Sequence, residues 1–259
     1  MHRKQSLSLA LALGFTVICA PNGSAQIERG AQAHGGLAKW RGFGTVEFDS
    51  TFENARGLKK DHQLFNLRTR DGLITAETYT LGASKGEVWI KPALDSLGGT
   101  PPRFYIWTPF YFFGMPFVFA DPGAVHESLG KKMFQEREYD VVKITFQAGT
   151  GDSSEDFYVA YFDAESGKLK LASYVVTYPS LRKGKPIDQL EQHAIVFQEW
   201  QDADGLIVPK VAQYFDWKND NIEGEALGNM SFLNVRFSGP TPDDAKFVKP
   251  PEALIAPRG

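Results

Sequence analysis

The sequence predicts a mainly β protein: a single curved antiparallel sheet with an N-terminal helix and an inserted aromatic segment as its lid. Three observations carry this. Most of the chain alternates apolar and polar residues with period two, tight-turn dipeptides recur between these stretches, and one aromatic run interrupts the meander after about four strands.

The alternation is clearest over residues 44–52. Val46, Phe48 and Phe52 are apolar there, while Thr45, Glu47, Asp49 and Thr51 are polar, as expected of a strand with one wet face. The same reading gives strands at 61–69, 73–81, 87–91, 139–147, 156–163, 168–178, 190–201, 206–217 and 228–238. Asp71-Gly72, Glu165-Ser166-Gly167 and Asp204-Gly205 mark turns between them. Helix signals are few. Residues 26–34 hold good helix formers and stop at Gly35-Gly36. Beyond Gly239 the prolines at 240, 242, 250, 251 and 257 predict an extended surface tail, residues 240–259, that adds no strand.

The first residues read as an export signal. His2, Arg3 and Lys4 precede an apolar stretch at 7–20, and Gly23-Ser24-Ala25 is a small-residue cleavage site, so residues 1–25 are expected to leave and the mature chain to begin at Gln26. The only cysteine, Cys19, lies in this stretch, and Ile18 departs from the small residue that lipoprotein processing wants before the modified cysteine. The expected location is periplasmic or secreted, without a lipid anchor and without a disulfide. One domain, residues 26–239, accounts for the rest. The net charge of −3 becomes −5 once Arg3 and Lys4 are removed, and no basic stripe is present, which argues against a nucleic-acid partner.

The densest feature is residues 104–119, FYIWTPFYFFGMPFVF, in which nine of sixteen residues are aromatic. Each ring is worth roughly 2 kcal/mol when removed from water, so exposing all of them would forfeit about 15–20 kcal/mol, more than a domain's usual net stability. The run is too short for a bilayer span and is broken by Pro109, Gly114 and Pro116. It must lie on the protein's own core, a hydrophobic ligand or a partner surface. Several strands, notably 157–162 and 169–178, are bulky on both faces and need two covers, and this segment is material for one of them. Trp107, Phe110, Tyr111, Phe112, Phe113, Met115, Phe117 and Phe119 are therefore the candidate residues for a hydrophobic cavity or lid.

Catalytic signatures are sparse. No nucleophile elbow, Walker loop, H-E-x-x-H or dinucleotide fingerprint occurs, and His34, His62, His126 and His193 are too scattered for a local metal site. Asp202-Ala203-Asp204-Gly205 lacks the downstream glutamate of a calcium loop and reads as a hairpin turn. No metal, cofactor or catalytic residue is expected.

Several short motifs, taken in order, carry a resemblance. They are Ala33-His34-Gly35-Gly36, Pro109-Phe110 leading to Phe119-Ala120-Asp121-Pro122-Gly123, Leu129-Gly130 before Tyr139-Asp140-Val141-Val142-Lys143-Ile144, Asp163-Ala164-Glu165-Ser166-Gly167, and Asp204-Gly205-Leu206-Ile207-Val208-Pro209. Together they resemble a group of secreted bacterial proteins of unknown function similar in fold to the LolA-like lipoprotein-sorting and lipoprotein-binding carriers, over residues 26–217. The resemblance implies an open, strongly curved half-barrel closed by a lid over an apolar cavity for acyl chains. It also implies a lipid-like ligand and a membrane-associated donor or acceptor protein as partner. The expected departure is the lid, where Pro109, Gly114 and Pro116 argue against the long regular helix such carriers use. The alternatives are a hydrolase acting on an apolar substrate, for which His193 or His126 would need an acidic neighbour, and a protein-interaction module using the aromatic segment.

Overall fold

The computed structural model describes residues 22–150, 153 and 155–258. Two helices, α1 (Gly23–Ala33) and α2 (Leu37–Gly42), precede five strands: β1 (Thr45–Asn54), β2 (Gly57–Asn66), β3 (Gly72–Thr75), β4 (Thr80–Ser84) and β5 (Glu87–Lys91). Helix α3 (Pro102–Gly114) and a 3-10 turn (Phe117–Ala120) follow. The second set of strands is β6 (Ala124–Phe134), β7 (Arg137–Phe146), β8 (Tyr158–Asp163), β9 (Leu169–Val175), β10 (Gln192–Ala203), β11 (Leu206–Lys218) and β12 (Asn221–Ser238), with a short helix α4 (Pro179–Arg182) between β9 and β10. The two-residue strand β13 (Leu254–Ile255) is last.

All thirteen strands form one antiparallel sheet in the order β13-β5-β4-β3-β2-β1-β12-β11-β10-β9-β8-β7-β6, not closed into a barrel. Consecutive strands are neighbours except at two places. The chain enters at the centre with β1, runs outward to β5, jumps to the far edge at β6, and runs back to the centre, where β12 pairs with β1 from Thr45↔Ser238 to Asn54↔Gly228. The jump from β5 to β6 must cross the whole sheet, and residues 92–123 are the segment that crosses it. The aromatic run is thus a strap joining the two arms of the sheet across its concave face.

The local chemistry explains the turns. Asp204 and Gly205 both adopt positive φ between β10 and β11, and the Gly205 amide donates to Asp202 at 3.1 Å, so the acidic motif is a hairpin turn as expected. Gly30 faces the Phe162 ring so closely that a Cβ would lie 2.3 Å from it, which lets α1 settle against β8.

Four expectations are corrected. Residues 73–81 are two strands, β3 and β4, joined by a turn in which the Ala76 amide donates to the Tyr79 carbonyl at 2.9 Å. Strand β6 was not expected, because its face toward solvent and its place at the sheet edge leave no clean alternation. Helix α1 begins at Gly23 rather than 26, with Asn22 capping the Ala25 amide at 2.8 Å and Ser24 bonded to His126 at 3.0 Å. The tail does add a strand: β13 pairs with β5 through Leu254↔Ile90 and Ile255↔Trp89, while Phe247 and Ala256 are buried. The prolines flank β13 instead of interrupting it, so the ladder loses no amide donor. The apolar stretch at 7–20 and Cys19 lie outside the described residues.

The doubly apolar strands have their two covers. On the convex face the end of the β11–β12 hairpin folds back over Phe134, Tyr139, Val141, Tyr161 and Leu171, placing Trp217 among them. Asp220, near that hairpin tip, accepts from Lys132 at 2.7 Å and from the Tyr161 hydroxyl at 3.1 Å, which pins the flap down. The concave face is covered by α3.

Candidate functional site

Contrary to expectation, the aromatic segment is a regular thirteen-residue helix with Pro109 inside it, ended at Gly114 and followed by the 3-10 turn after Pro116. An internal proline costs about 3 kcal/mol. Burial of rings on every side of α3 outweighs that, and a helix apolar all round is a buried helix.

The wheel of α3 follows the strand order. Phe110 stacks on Phe65 of β2 at 4.4 Å, and Phe113 packs on Phe48 of β1 at 4.3 Å and Phe232 of β12 at 5.5 Å. Phe112 meets Tyr214 of β11 at 5.5 Å and Tyr174 of β9 at 5.3 Å, and Tyr111 stacks on Tyr158 of β8 at 5.3 Å and reaches Phe146 of β7 at 6.3 Å. At about 100° per residue, the order 110, 113, 112, 111 steps steadily round the helix through roughly 260°. The strands from β2 to β7 would span about 34 Å if flat, against a helix about 10 Å across, so the sheet must curl around α3.

The eight sequence-predicted residues come together in this trough, each in a different state. Phe110, Phe113, Met115, Phe117 and Phe119 are fully buried and Phe112 nearly so, while Trp107 and Tyr111 are half-buried on the open side. Phe117 stacks on Trp40 of α2 at 4.7 Å, and Phe119 lies 5.7 Å from Tyr158. The segment therefore fills the concave space with its own rings.

Polar contacts fasten the strap along its rim. Tyr105 donates to Asp61 of β2 at 2.6 Å, the Trp107 indole donates to the Arg70 carbonyl at 3.0 Å, and the Arg70 guanidinium holds Asp121 at 2.6 Å. Burial raises the Asp121 carboxyl, and Arg70 opposes that shift. Arg41 and His126 donate to the carbonyls of Ala120 and Phe119 at 3.0 and 2.7 Å.

Asp61 was missed by sequence reasoning. It is 6% exposed and gathers four donors: Ser50 at 3.1 Å, Gln63 at 2.8 Å, Tyr79 at 2.9 Å and Tyr105 at 2.6 Å. The available signal was its register, since Asp61, Gln63 and Phe65 share the inward face of β2. Tyr79 also lines an open groove of about 490 Å³ with residues 76–80, Lys91, Pro92 and Glu252.

The histidines separate by environment. His34 is wholly buried; the Leu169 amide donates to its Nε2 at 3.1 Å, so Nδ1 carries the proton and donates to the Ile207 carbonyl at 3.0 Å. Burial lowers its pKa from 6.5 to about 4. His193 Nδ1 lies 3.0 Å from Asp216 on the neighbouring strand, and its ring is 6.1 Å from Tyr174. Among the described residues no group of three or more His, Cys, Asp and Glu side chains is placed to hold a metal.

Residues 103–222 match a family of unknown function, DUF6503. No curated protein matches the chain. Among solved structures, the fold is similar to a LolA superfamily protein from Nitrosomonas europaea, with a TM-score of 0.56 and 9% identity over 89% of this chain and 99% of that one. It is also similar to a DUF1329 family protein from Desulfovibrio piger, with a TM-score of 0.51 and 9% identity over 88% and 98%. The chain has the LolA-like fold, an open antiparallel sheet around a lid.

Proposed function

We propose that this protein is an extracytoplasmic, non-catalytic carrier of a lipid-like ligand whose acyl chain occupies the trough now filled by α3. One observation carries the reading: α3 is apolar on every side and lies in a curled sheet as a plug, joined to it by rim hydrogen bonds and by loops at both ends. A plug of hydrocarbon rings is chemically exchangeable with an acyl chain, so displacement of part of α3 exchanges one apolar filling for another. The LolA-like fold supports the reading. Trp107, Phe110, Tyr111, Phe112, Phe113, Met115, Phe117 and Phe119 are the residues the ligand would meet, and a membrane-associated donor or acceptor protein would load or unload it.

Export through removal of a leader belongs to the same proposal. Cleavage after Ala25 would also remove the Asn22 cap and the Ser24–His126 bond, so N-terminal sequencing of exported protein distinguishes that site from one before Asn22.

Titration with a fatty acid or lysophospholipid, followed by tryptophan emission, tests the carrier. Saturable binding whose signal is lost in Trp107→Phe is the expected result. Absence of binding by any amphiphile would overturn it. The His193–Asp216 pair keeps one rival, hydrolysis of an apolar substrate with His193 as base. Turnover of a lipid ester that vanishes in His193→Ala would favour that rival.

A further inference from the structure

Beneath the C-terminal half of α3 four tyrosines converge. Tyr158, Tyr174, His193 and Asp216 are successive cross-strand partners on β8, β9, β10 and β11, so their side chains share the concave face. Tyr158 and Tyr174 stand 6.0 Å apart between ring centres, Tyr111 of α3 stacks on Tyr158, and the Phe112 ring bridges Tyr174 and Tyr214.

Two of the hydroxyls are short of acceptors. The Tyr111 hydroxyl is fully buried without a partner, and Tyr214 finds only the weakly accepting Met230 sulfur at 3.2 Å. The Tyr158 and Tyr174 rings stand beside Tyr111, their hydroxyls not sealed without a partner as that of Tyr111 is. Buried polar groups in folded proteins are almost always paired, so the sealed Tyr111 hydroxyl, beside the poorly served Tyr214, marks a missing partner. Burial raises the pKa of all four, which keeps them as donors. The partner must therefore be an acceptor.

Resting on the carrier reading, we propose that Tyr111, Tyr158 and Tyr174 form the polar end of the ligand site and receive the carbonyl-type oxygen of a carboxyl, ester or amide head, with the acyl chain running along α3. Phenol donors around a carbonyl oxygen satisfy both sides and leave the chain among the rings.

The test is calorimetric titration of the whole protein with three twelve-carbon probes: dodecanoate, methyl dodecanoate and dodecyltrimethylammonium, which lacks an acceptor oxygen. The carbonyl probes should bind at least about tenfold more tightly, and Tyr111→Phe and Tyr158→Phe should each remove about tenfold of that preference while leaving the ammonium probe unchanged. Equal affinity for all heads, or phenylalanine variants indistinguishable from the parent, would overturn the head site and leave the carrier standing. No binding of any probe overturns both. A second readout needs no ligand: Tyr111→Phe should melt at the same temperature as the parent or higher, whereas a fall of more than ~3 °C would mean that ordered water alone already pairs the hydroxyl, and the head site falls.

Discussion

The two halves of α3 present tyrosines to the same concave face and treat them oppositely. At the N-terminal half, Tyr105 and its neighbour Tyr79 both donate to Asp61, which also accepts from Ser50 and Gln63; only the Gln63 carbonyl oxygen there lacks a partner. At the C-terminal half, Tyr111, Tyr158, Tyr174 and Tyr214 face one another, and the carboxylate on their face, Asp216, lies at the end of the row beside His193 and bonds to none of them. The nearby Asp156 is occupied by Thr177. In the first cluster every tyrosine hydroxyl is paired, and the cluster anchors the strap. The second leaves the Tyr111 hydroxyl without a partner, and on the carrier proposal this is the part of α3 that a guest would complete.

The largest effect that would sharpen this contrast is loss of the anchor. Asp61→Ala removes the acceptor that four buried donors share, leaving Gln63 only its bond to Ser50, and should destabilise the protein by about 4 kcal/mol, read from denaturant midpoints. An effect below about 1 kcal/mol would mean that water replaces the carboxylate and that the anchor is not special. Next comes truncation of the rings. Phe113→Ala, deep between β1 and β12, should cost about 3–5 kcal/mol, whereas Phe112→Ala, bordering the tyrosine cluster, should cost about 2 kcal/mol. Equal, full penalties at both sites would make the C-terminal half as much plain core as the rest.

Acid should act on a third element. His34 stays neutral in the fold with a pKa near 4 against 6.5 unfolded, so the unfolded chain binds the proton first and stability is lost as pH falls from about 6.5 toward 4. Two and a half units correspond to about 3 kcal/mol. Urea midpoints at pH 7.5 and 4.5 should fall less in His34→Gln than in the parent; parallel losses would assign the acid sensitivity to carboxylates such as Asp121 and Asp156. The smallest effect sharpens the comparison directly. Tyr105→Phe should cost about 1–2 kcal/mol because its bond to Asp61 is real, and Tyr111→Phe about nothing.

Much of this was legible in the residues and some was not. Period-two patterning located nearly every strand that has one wet face, and the doubly apolar 157–162 and 169–178 correctly demanded two covers. Strand β6 escaped because an edge strand whose contacts with α1 are made partly by polar side chains such as His126 shows little apolar alternation, and β13 because its partner β5 lies more than a hundred and fifty residues away, beyond any local pattern. The helical state of α3 was hidden for a related reason. Its wheel has no polar side to reveal a period, and Pro109 opposes helix locally, so only the trough that surrounds it decides its conformation. Asp61 was visible as an inward acid in β2, but its four donors come from β1, β2, the β3–β4 turn and α3, and only folding assembles them.

The chain's path also sets a kinetic order. Each arm is a run of hairpins that can close locally, but the seam between them, β1 with β12, joins residues nearly two hundred positions apart, and such closures are slow because chain entropy falls before contacts form. The strap is the sole covalent tie between β5 and the far edge at β6, so it determines whether two preformed arms meet as one cupped sheet or drift apart with their seam strands open to other chains. A molecule with residues 92–123 cut or shortened should accumulate as a collapsed, aggregation-prone intermediate even where every hairpin is intact.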